Sequence, residues 1–356
     1  MAHSAATPAS PPSRSDRAHA SAGEAAPGAG APGPAAPGGC RIVARRGAEV
    51  VESTDPTDLQ GLIETPDARV WIDLVEPSGA LLAEVSGILG LHPLIVEDIA
   101  ERNQRAKFEE IDDDLHIVLF ALEFPGEVAA REIDIVATDG TLLTVHPPSV
   151  NLHALPQLRM GAGAHLARGV DYLLYAIVDG VVDGYFPVLD RLADDLDALQ
   201  DDVVVSASSW SLQRLFILKR ELIALRRAVS PAREILNQLT NRDLPLIAPE
   251  HIVYFRDIYD HLIRVTDELD NYRELVAGTL EVYLSTVNNN LSVIMKRLTG
   301  ATVILAGVGA VAGIFGMSEA ALALRNGEGA GFWIVTAGIV ALGASTAVVL
   351  RRIDWI

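Results

Sequence analysis

The sequence predicts an α+β domain followed by a long helical stalk and two C-terminal transmembrane helices. Three observations predict this fold: β-rich runs before residue 150, an unbroken apolar rhythm beyond Pro249, and two charge-free segments near the carboxyl end. The 356 residues carry 47 acidic and 28 basic side chains, and the net charge of −19 argues against a nucleic-acid-binding protein. The single cysteine, Cys40, excludes an intramolecular disulfide and a cysteine-based zinc site.

Composition predicts the first two regions of the chain. Of residues 1–40, 31 are Ala, Pro, Gly or Ser, so we expect a disordered tail there and not a signal peptide. Residues 41–170 are predicted to form a small α/β domain with a mixed sheet. The predicted elements are strands over 69–75, 115–120, 132–136 and 141–145 and a helix over 81–89 that ends at Gly90.

Residues 171–297 are predicted to form a helical stalk that contains an acidic helical pair and one long helix. A leucine-rich helix is followed by a second helix over 212–229, and Pro231 is predicted to open the next one, because proline is tolerated in a first turn. Apolar residues then recur every three or four positions. A helix over 251–315 would be about 95–100 Å long at about 1.5 Å per residue.

Two segments without a charged residue, 298–318 and 331–350, are each long enough to cross the hydrocarbon core of a membrane. The connection over 319–330 is short, so the two spans are predicted to form an antiparallel hairpin with an external loop. Two spans in one chain cannot enclose a pore. A transport function therefore requires a ring of subunits, with the first span of each lining the axis.

Basic residues flank the outer ends of both predicted spans. Lys296 and Arg297 precede the first span, and Arg351 and Arg352 follow the second in the short tail over 351–356. The positive-inside rule therefore places both termini in the cytoplasm. Almost the whole protein would then be a cytosolic body on a two-helix membrane anchor.

A stripe of aspartates precedes the long helix. Asp183, Asp190, Asp194, Asp197 and Asp201 follow steps of 7, 4, 3 and 4 residues, which places them on one helical face. Oxygen ligands at this density suit hard cations such as Mg²⁺. The same spacing is also expected of a solvated face that only concentrates cations nearby, and both interpretations stand.

The histidines show no catalytic or metal-binding spacing. His92, His116, His146 and His153 form no HExxH motif, and a structural role is expected for each. No Ser-His-Asp or Cys-His arrangement can be argued from the sequence. The chain is therefore predicted not to be an enzyme.

One face of the first predicted span carries small side chains. Thr302, Ala306, Gly309 and Gly313 follow steps of 4, 3 and 4 residues, which places them in one stripe. The spacing of Gly309 and Gly313 favours close helix–helix packing in a membrane. In a ring of subunits the same stripe would form a pore wall with room for a partly hydrated ion, so both interpretations remain.

Over about residues 41–356 the chain resembles the CorA family of divalent-cation channels. The residues that carry the resemblance are 91–99 (LHPLIVEDI), 104–110 (QRAKFEE), 254–261 (YFRDIYDH), 295–299 (MKRLT) and 313–318 (GIFGMS). The resemblance implies a homopentamer in the inner membrane with a cytosolic funnel. The long stalk helix would continue into the pore-lining span.

The resemblance also implies how the pore is gated. It identifies Asp98 and Asp257 as an inter-subunit sensor, in which Mg²⁺ between neighbouring funnels holds the channel shut. Mg²⁺ would then be both the regulatory and the transported ion. Met295 and Leu298 would form a hydrophobic constriction that closes by dewetting.

The chain departs from the family at the pore mouth. Where the family has Gly-Met-Asn, this sequence has Gly316, Met317 and Ser318, followed by the acidic Glu319. A serine hydroxyl is shorter than a carboxamide and a less directed acceptor, so the selectivity ring would be wider and weaker. The expected function is potential-driven influx of Mg²⁺, with Co²⁺ and Ni²⁺ as further candidates. The alternatives are a ZntB-like zinc transporter and a non-conducting, membrane-anchored Mg²⁺ sensor.

Overall fold

The structure is a computed structural model that describes residues 37–102, 104–317 and 330–352. Nearly all of the predicted tail over 1–40 lies outside the described residues, as do Ser318, Glu319 and all but the last residue of the predicted loop. The first strand begins at Gly39, so the last two residues of the predicted tail belong to the sheet.

The N-terminal part of the described chain forms a mixed sheet with short helices. Its strands are β1 (Gly39–Arg46), β2 (Glu49–Ser53), β3 (Arg69–Val75), β4 (Lys107–Ile111), β5 (Asp114–Glu123), β6 (Ala129–Thr138) and β7 (Thr141–His146). Its α-helices are α1 (Leu59–Ile63), α2 (Gly79–Leu89), α3 (Pro93–Glu101) and α4 (Ala162–Leu166). The strand order is β2-β1-β3-β7-β6-β5-β4, with β3 and β7 parallel and the other neighbours antiparallel. The four predicted strands, the helix ending at Gly90 and the mixed sheet are confirmed.

Long helices make up the rest of the described chain. They are α5 (Val170–Asp183), α6 (Tyr185–Val205), α7 (Ser209–Asn241), α8 (Ile252–Met317) and α9 (Ala330–Arg352). The predicted long helix is confirmed, because α8 runs for 66 residues without a break. The predicted fold class is confirmed as well.

Apolar clusters cover both faces of the sheet, and successive side chains of a strand belong alternately to one cluster and the other. Trp71 of β3 joins the apolar cluster formed with α5, α6, α7 and the first half of α8. Ile72, the next residue along β3, joins a second cluster with α1, α2 and α3. Adjacent residues in a strand point to opposite faces, so the sheet separates a stalk side from an α3 side.

Pro231 does not open a new helix, and that part of the sequence-based prediction is wrong. The helix α7 continues through Pro231 from Ser209 to Asn241. An interior proline removes a backbone hydrogen bond and crowds the preceding turn. Val229 and Ala232 on either side of it are fully buried, and α7 packs along α8. The burial of these neighbours outweighs the free-energy cost of an interior proline. Hydrophobic periodicity in the sequence does not report on such tertiary packing.

Two helical segments are long and apolar enough to cross a membrane by length and composition. Of the apolar window in Val170–Val205, 61% is buried inside the structure, which is typical of core helices in a soluble domain. Within Ile252–Ile314 only 6% of the window is buried, as expected of a span that faces lipid or neighbouring subunits. The second predicted span lies in α9, and its crossing of a membrane stays a prediction.

Candidate functional site

The first predicted span packs against α9 through one of its faces. Ile304, Val308 and Val311 are half-buried, whereas most of their neighbours on α8 are exposed. A Cβ atom added to Gly343 of α9 would lie 3.6 Å from Cγ2 of Val308, an ordinary van der Waals contact. The face of α8 that touches α9 therefore runs through these three residues.

The small side chains of the first span lie on the opposite face of α8. At about 100° per residue, Thr302, Ala306, Gly309 and Gly313 fall within about 60° of arc, roughly opposite the face that touches α9. A Cβ atom added to Gly309 or Gly313 would meet no atom of the described chain within 4 Å. The glycines therefore do not mediate packing between the two spans of one chain. This favours the pore-wall interpretation or contact with another subunit.

Two larger apolar residues extend this face at the stalk end of the span. Met295 and Leu298 are 59% and 60% exposed, although both carry large apolar side chains. The hydroxyl of Thr302, one turn further along, donates to the Leu298 carbonyl at 2.8 Å and so needs no partner from outside the helix. We call the face formed by Met295, Leu298, Thr302, Ala306, Gly309 and Gly313 the axial stripe.

The predicted pore mouth lies at the boundary of the described chain. Gly316 and Met317 end α8. Ser318 and Glu319 lie outside the described residues. The selectivity ring therefore stays a prediction from sequence.

Asp98 lies on α3, which begins where the Nδ1 atom of His92 accepts a hydrogen bond from the Leu94 amide at 3.2 Å. The Nζ atom of Lys107 lies 2.5 Å from one carboxylate oxygen of Asp98, and the Gln104 amide donates to the other at 2.9 Å. Burial disfavours the Lys107 ammonium, but its bonds with carboxylates raise its pKa overall. Within one chain, the charge of Asp98 is therefore already paired.

Asp257 lies near the start of α8 and is far more accessible. Its side chain is 67% exposed, and its Oδ2 atom lies 3.8 Å from Nε2 of His261, one helical turn away. The Nδ1 atom of His261 lies 3.7 Å from Oδ1 of Asp183 on α5. Asp257 therefore stands at the edge of a larger group of ligand-type side chains.

That group lies between α5 and α8. One ligand atom each from Asp179, Asp183 and His261 lies within 4.8 Å of the others. Gln157 holds the two carboxylates together, because its amide donates to Asp179 at 3.0 Å and to Asp183 at 2.7 Å. Its own carbonyl oxygen, Oε1, is buried with no hydrogen-bond partner in the described chain.

Electrostatics make this group receptive to a cation. Burial raises the pKa of Asp179, and the negative charges of Asp183 and Asp257 raise it further. Across the described residues, no lysine or arginine forms an ion pair with any of these three aspartates. A divalent cation would relieve the repulsion between them.

This group does not follow from the predicted acidic stripe. The stripe assigns Asp183 to the same helix as the later aspartates, but α5 ends at Asp183 and α6 starts only at Tyr185. The remaining stripe residues, Asp190, Asp194, Asp197 and Asp201, are solvent-exposed. A usable signal was present, because 179/183 and 257/261 are both pairs of ligand-type residues one helical turn apart.

A buried polar network lies in the sheet beside Trp71. Asp73 accepts from the Thr144 hydroxyl at 2.6 Å, and its Oδ1 atom lies 3.0 Å from Nε2 of His146. Its other oxygen lies 3.2 Å from Nε2 of His153, whose ring stacks on Trp71 at 4.2 Å. These contacts support the structural role expected for the two histidines.

Comparison with known proteins gives consistent matches along most of the chain. A family model described as "CorA-like Mg2+ transporter protein" matches residues 67–352. The cobalt/magnesium transport protein CorA of Thermotoga maritima is 32% identical over 270 residues, which cover 74% of this chain and 77% of that protein. The zinc transport protein ZntB of Yersinia pseudotuberculosis is 25% identical over 302 residues, covering 82% of this chain and 89% of that protein.

A solved structure shares the fold over most of the chain. The complete structure of the CorA magnesium transporter from Methanocaldococcus jannaschii matches with a TM-score of 0.72 and 25% identity. The match covers 88% of this chain and 98% of that one. The sheet, the stalk and both C-terminal helices therefore have counterparts in a single known protein.

Proposed function

Because the chain belongs to the CorA-like Mg²⁺ transporter family, a family of divalent-cation transporters in membranes, we propose that it is a homopentameric Mg²⁺ influx channel of the inner membrane. Both termini are cytoplasmic in this proposal, because basic residues flank the outer ends of the two spans. The observation that carries it is the axial stripe: small, exposed side chains face away from α9 on a helix that continues from the soluble body.

The permeation path follows the axial stripe. Hydrated cations collect at the mouth formed by Gly316, Met317, Ser318 and Glu319, and the wall below it has small side chains. They then reach the constriction at Leu298 and Met295, which closes by dewetting. The membrane potential supplies about 4–5 kcal/mol per divalent ion per 100 mV, twice the value for a single charge. No bound nucleotide is needed for this driving force.

Asp98 and Asp257 form the regulatory sensor in this proposal. They lie on α3 and α8. The family resemblance implies that the bridge between them joins neighbouring subunits. Bound Mg²⁺ offsets the repulsion of the two carboxylates when the cytosolic concentration is high. The carboxylates of Asp179 and Asp183 lie beside Asp257 and add to the negative charge that the cation neutralises.

Zinc transport is the second candidate, favoured by the ZntB relative and by Ser318 at the position of the family's asparagine. The deciding experiment measures uptake of Mg²⁺, Co²⁺ and Zn²⁺ by the purified full-length protein in liposomes. A potassium diffusion potential, negative inside, is applied with and without a pH gradient. We expect Mg²⁺ uptake that follows the potential and ignores the pH gradient.

Other results of this experiment would contradict the proposal. Zinc uptake that requires the pH gradient, with no Mg²⁺ uptake, would identify a ZntB-like transporter. Absence of all flux from a correctly assembled pentamer would identify a non-conducting sensor. Size-exclusion chromatography with light scattering checks the assembly before flux is measured.

The sensor assignment predicts the behaviour of Asp257→Ala. Removing this carboxylate weakens the Mg²⁺ bridge, so we expect the channel to stay open at internal Mg²⁺ concentrations that close the wild type. The measurement is Mg²⁺ flux in liposomes with the internal Mg²⁺ concentration varied. Asp260→Ala is the matched control, because Asp260 is an exposed aspartate on the same helix outside the group. Unchanged closure in Asp257→Ala would show that the assignment is wrong.

A further inference from the structure

A second group of ligand-type side chains lies on the α3 side of the sheet. One ring nitrogen of His116 and one carboxylate oxygen from each of Asp98 and Glu109 all lie within 4.8 Å of one another. The pairing of β4 with β5 explains why these two side chains lie close together, because Glu109 of β4 is directly opposite His116 of β5. Paired residues in a sheet share a face, and Asp98 reaches this face from α3.

The position of His116 is fixed from the sheet side. Its residue partner on β6 is Val136, which packs in the same apolar cluster as Ile95 and Ile99 of α3. His116 itself is fully buried. Its ring is therefore held between the sheet and α3, where exchange with bulk water is restricted.

The two nitrogens of this ring have different surroundings. The Nε2 atom lies 3.1 Å from Oδ1 of the buried Asp134. The Nδ1 atom is buried with no hydrogen-bond partner among the described residues. When Nε2 carries the hydrogen and donates a hydrogen bond to Asp134, Nδ1 keeps its lone pair. A carboxylate behind one ring nitrogen and a free lone pair on the other is the usual arrangement of a metal-binding histidine.

A cationic group already sits between the two carboxylates. The Nζ atom of Lys107 lies 2.5 Å from Oδ2 of Asp98 and 2.7 Å from Oε2 of Glu109. One ammonium thus forms ion pairs with two carboxylates, and the lone pair on Nδ1 of His116 accepts no hydrogen bond from the described residues. A divalent cation would match the charge of both carboxylates and would also accept the imidazole nitrogen.

We propose that Asp98, Glu109 and His116 form a binding site for a divalent transition cation of the Co²⁺, Ni²⁺ and Zn²⁺ class, which displaces the ammonium of Lys107. Imidazole suits these metals, whereas Mg²⁺ favours oxygen ligands and retains its water. The site lies within one subunit. It shares only Asp98 with the proposed sensor, and it does not depend on whether the protein conducts Mg²⁺.

The test is equilibrium binding of Co²⁺ to the purified full-length protein in detergent. Excess Mg²⁺ is present throughout, so that sites made only of oxygen ligands hold Mg²⁺. We expect at least one Co²⁺ per chain, with visible absorption bands that differ from those of the aqueous ion. Failure of the wild type to hold Co²⁺ under these conditions would overturn the site and leave the flux result unaffected.

Three variants separate a metal site from a structural ion pair. Glu109→Gln is expected to weaken Co²⁺ binding by at least about tenfold, because one ligand is lost. Glu110→Gln is its control, since the neighbouring residue on the same strand points to the other face. Lys107→Met is expected to strengthen binding, because the competing ammonium is gone.

The contrary results are equally specific. Equal Co²⁺ affinities in Glu109→Gln and Glu110→Gln would place the cation elsewhere. A Lys107→Met protein that binds Co²⁺ no better than the wild type would mean that the ammonium does not occupy the cation's position. Either result overturns the proposal. A His116 variant is not used, because its fully buried ring also supports the fold.

Discussion

Replacing Gly309 with leucine is expected to lower Mg²⁺ flux by more than about tenfold, because a subunit ring would bring several isobutyl groups to the axis and favour dewetting. A Cβ atom at this position meets no atom of the described residues within 4 Å, so there is space around Gly309 for a side chain to begin. The measurement is Mg²⁺ uptake by liposomes under a fixed membrane potential, normalised to the amount of protein.

Gly307→Leu provides the matched control for this prediction. It is the same substitution two residues away, and a Cβ atom there also meets no atom within 4 Å in the part of the chain that the structure describes. At about 100° per residue, however, Gly307 lies about 160° around the helix from Gly309. Flux is expected to survive in Gly307→Leu. Equal loss of flux in both variants, or normal flux in Gly309→Leu, would show that the axial stripe does not line the permeation path.

The second large effect concerns stability. Asp73→Ala is expected to lower the free energy of unfolding by about 3–5 kcal/mol, because it leaves buried partners of a charged network unpaired. The side chain of Asp73 is 2% exposed, and three side chains contact its two oxygens. Asp190→Ala, which removes an exposed aspartate from α6, is expected to change stability by far less.

The same network predicts how this effect depends on pH. Burial alone would raise the pKa of Asp73, but the hydrogen bonds and charges of His146 and His153 hold it well below its usual value. Burial would lower the pKa of His146, but Asp73 raises it overall. The carboxylate stabilises the fold above about pH 4, and the imidazolium does so below about pH 6.5, so both act between these values.

Thermal unfolding of the two proteins across pH tests this prediction. We expect the difference between wild type and Asp73→Ala to be largest near pH 5–6. It should shrink as the pH falls through the lowered pKa of Asp73 and as it rises through the raised pKa of His146. Trp71 donates to the Thr144 hydroxyl at 3.0 Å, so the contribution of Trp71 to the tryptophan fluorescence reports on this part of the sheet. A difference that does not vary with pH would contradict the assignment of charge to the network.

Much of the fold could be predicted because its signals are local. The strands found from sequence are runs of β-branched residues that are buried on both faces, such as β3 and β7. Three strands were not predicted. One is β1, which begins at Gly39 inside the predicted tail. The others are the two edge strands: β2 has a largely exposed pattern and β4 contains Lys107, Glu109 and Glu110, so neither has the apolar period of a buried strand. Edge strands of a sheet therefore escape an analysis based on hydrophobic periodicity.

The candidate sites also differ in whether local sequence signals could predict them. The axial stripe could be predicted because all its members lie on one helix, where spacing alone sets the face. Asp179 and His261 meet only after α5 packs on α8, and Glu109 meets His116 only in one strand register. Spacing along the chain does not determine either of these contacts. Tertiary packing and strand register supply the missing information.

The unbroken course of α8 links the folded body of the chain to the predicted first span. Asp257 and Gly309 belong to the same 66-residue helix and are about 80 Å apart at about 1.5 Å per residue. A rod of this length works as a lever arm, so a tilt of only about 3° at one end displaces the other by about 4 Å. A small change in the tilt of α8 at Asp257 would therefore move Gly309 by several ångströms.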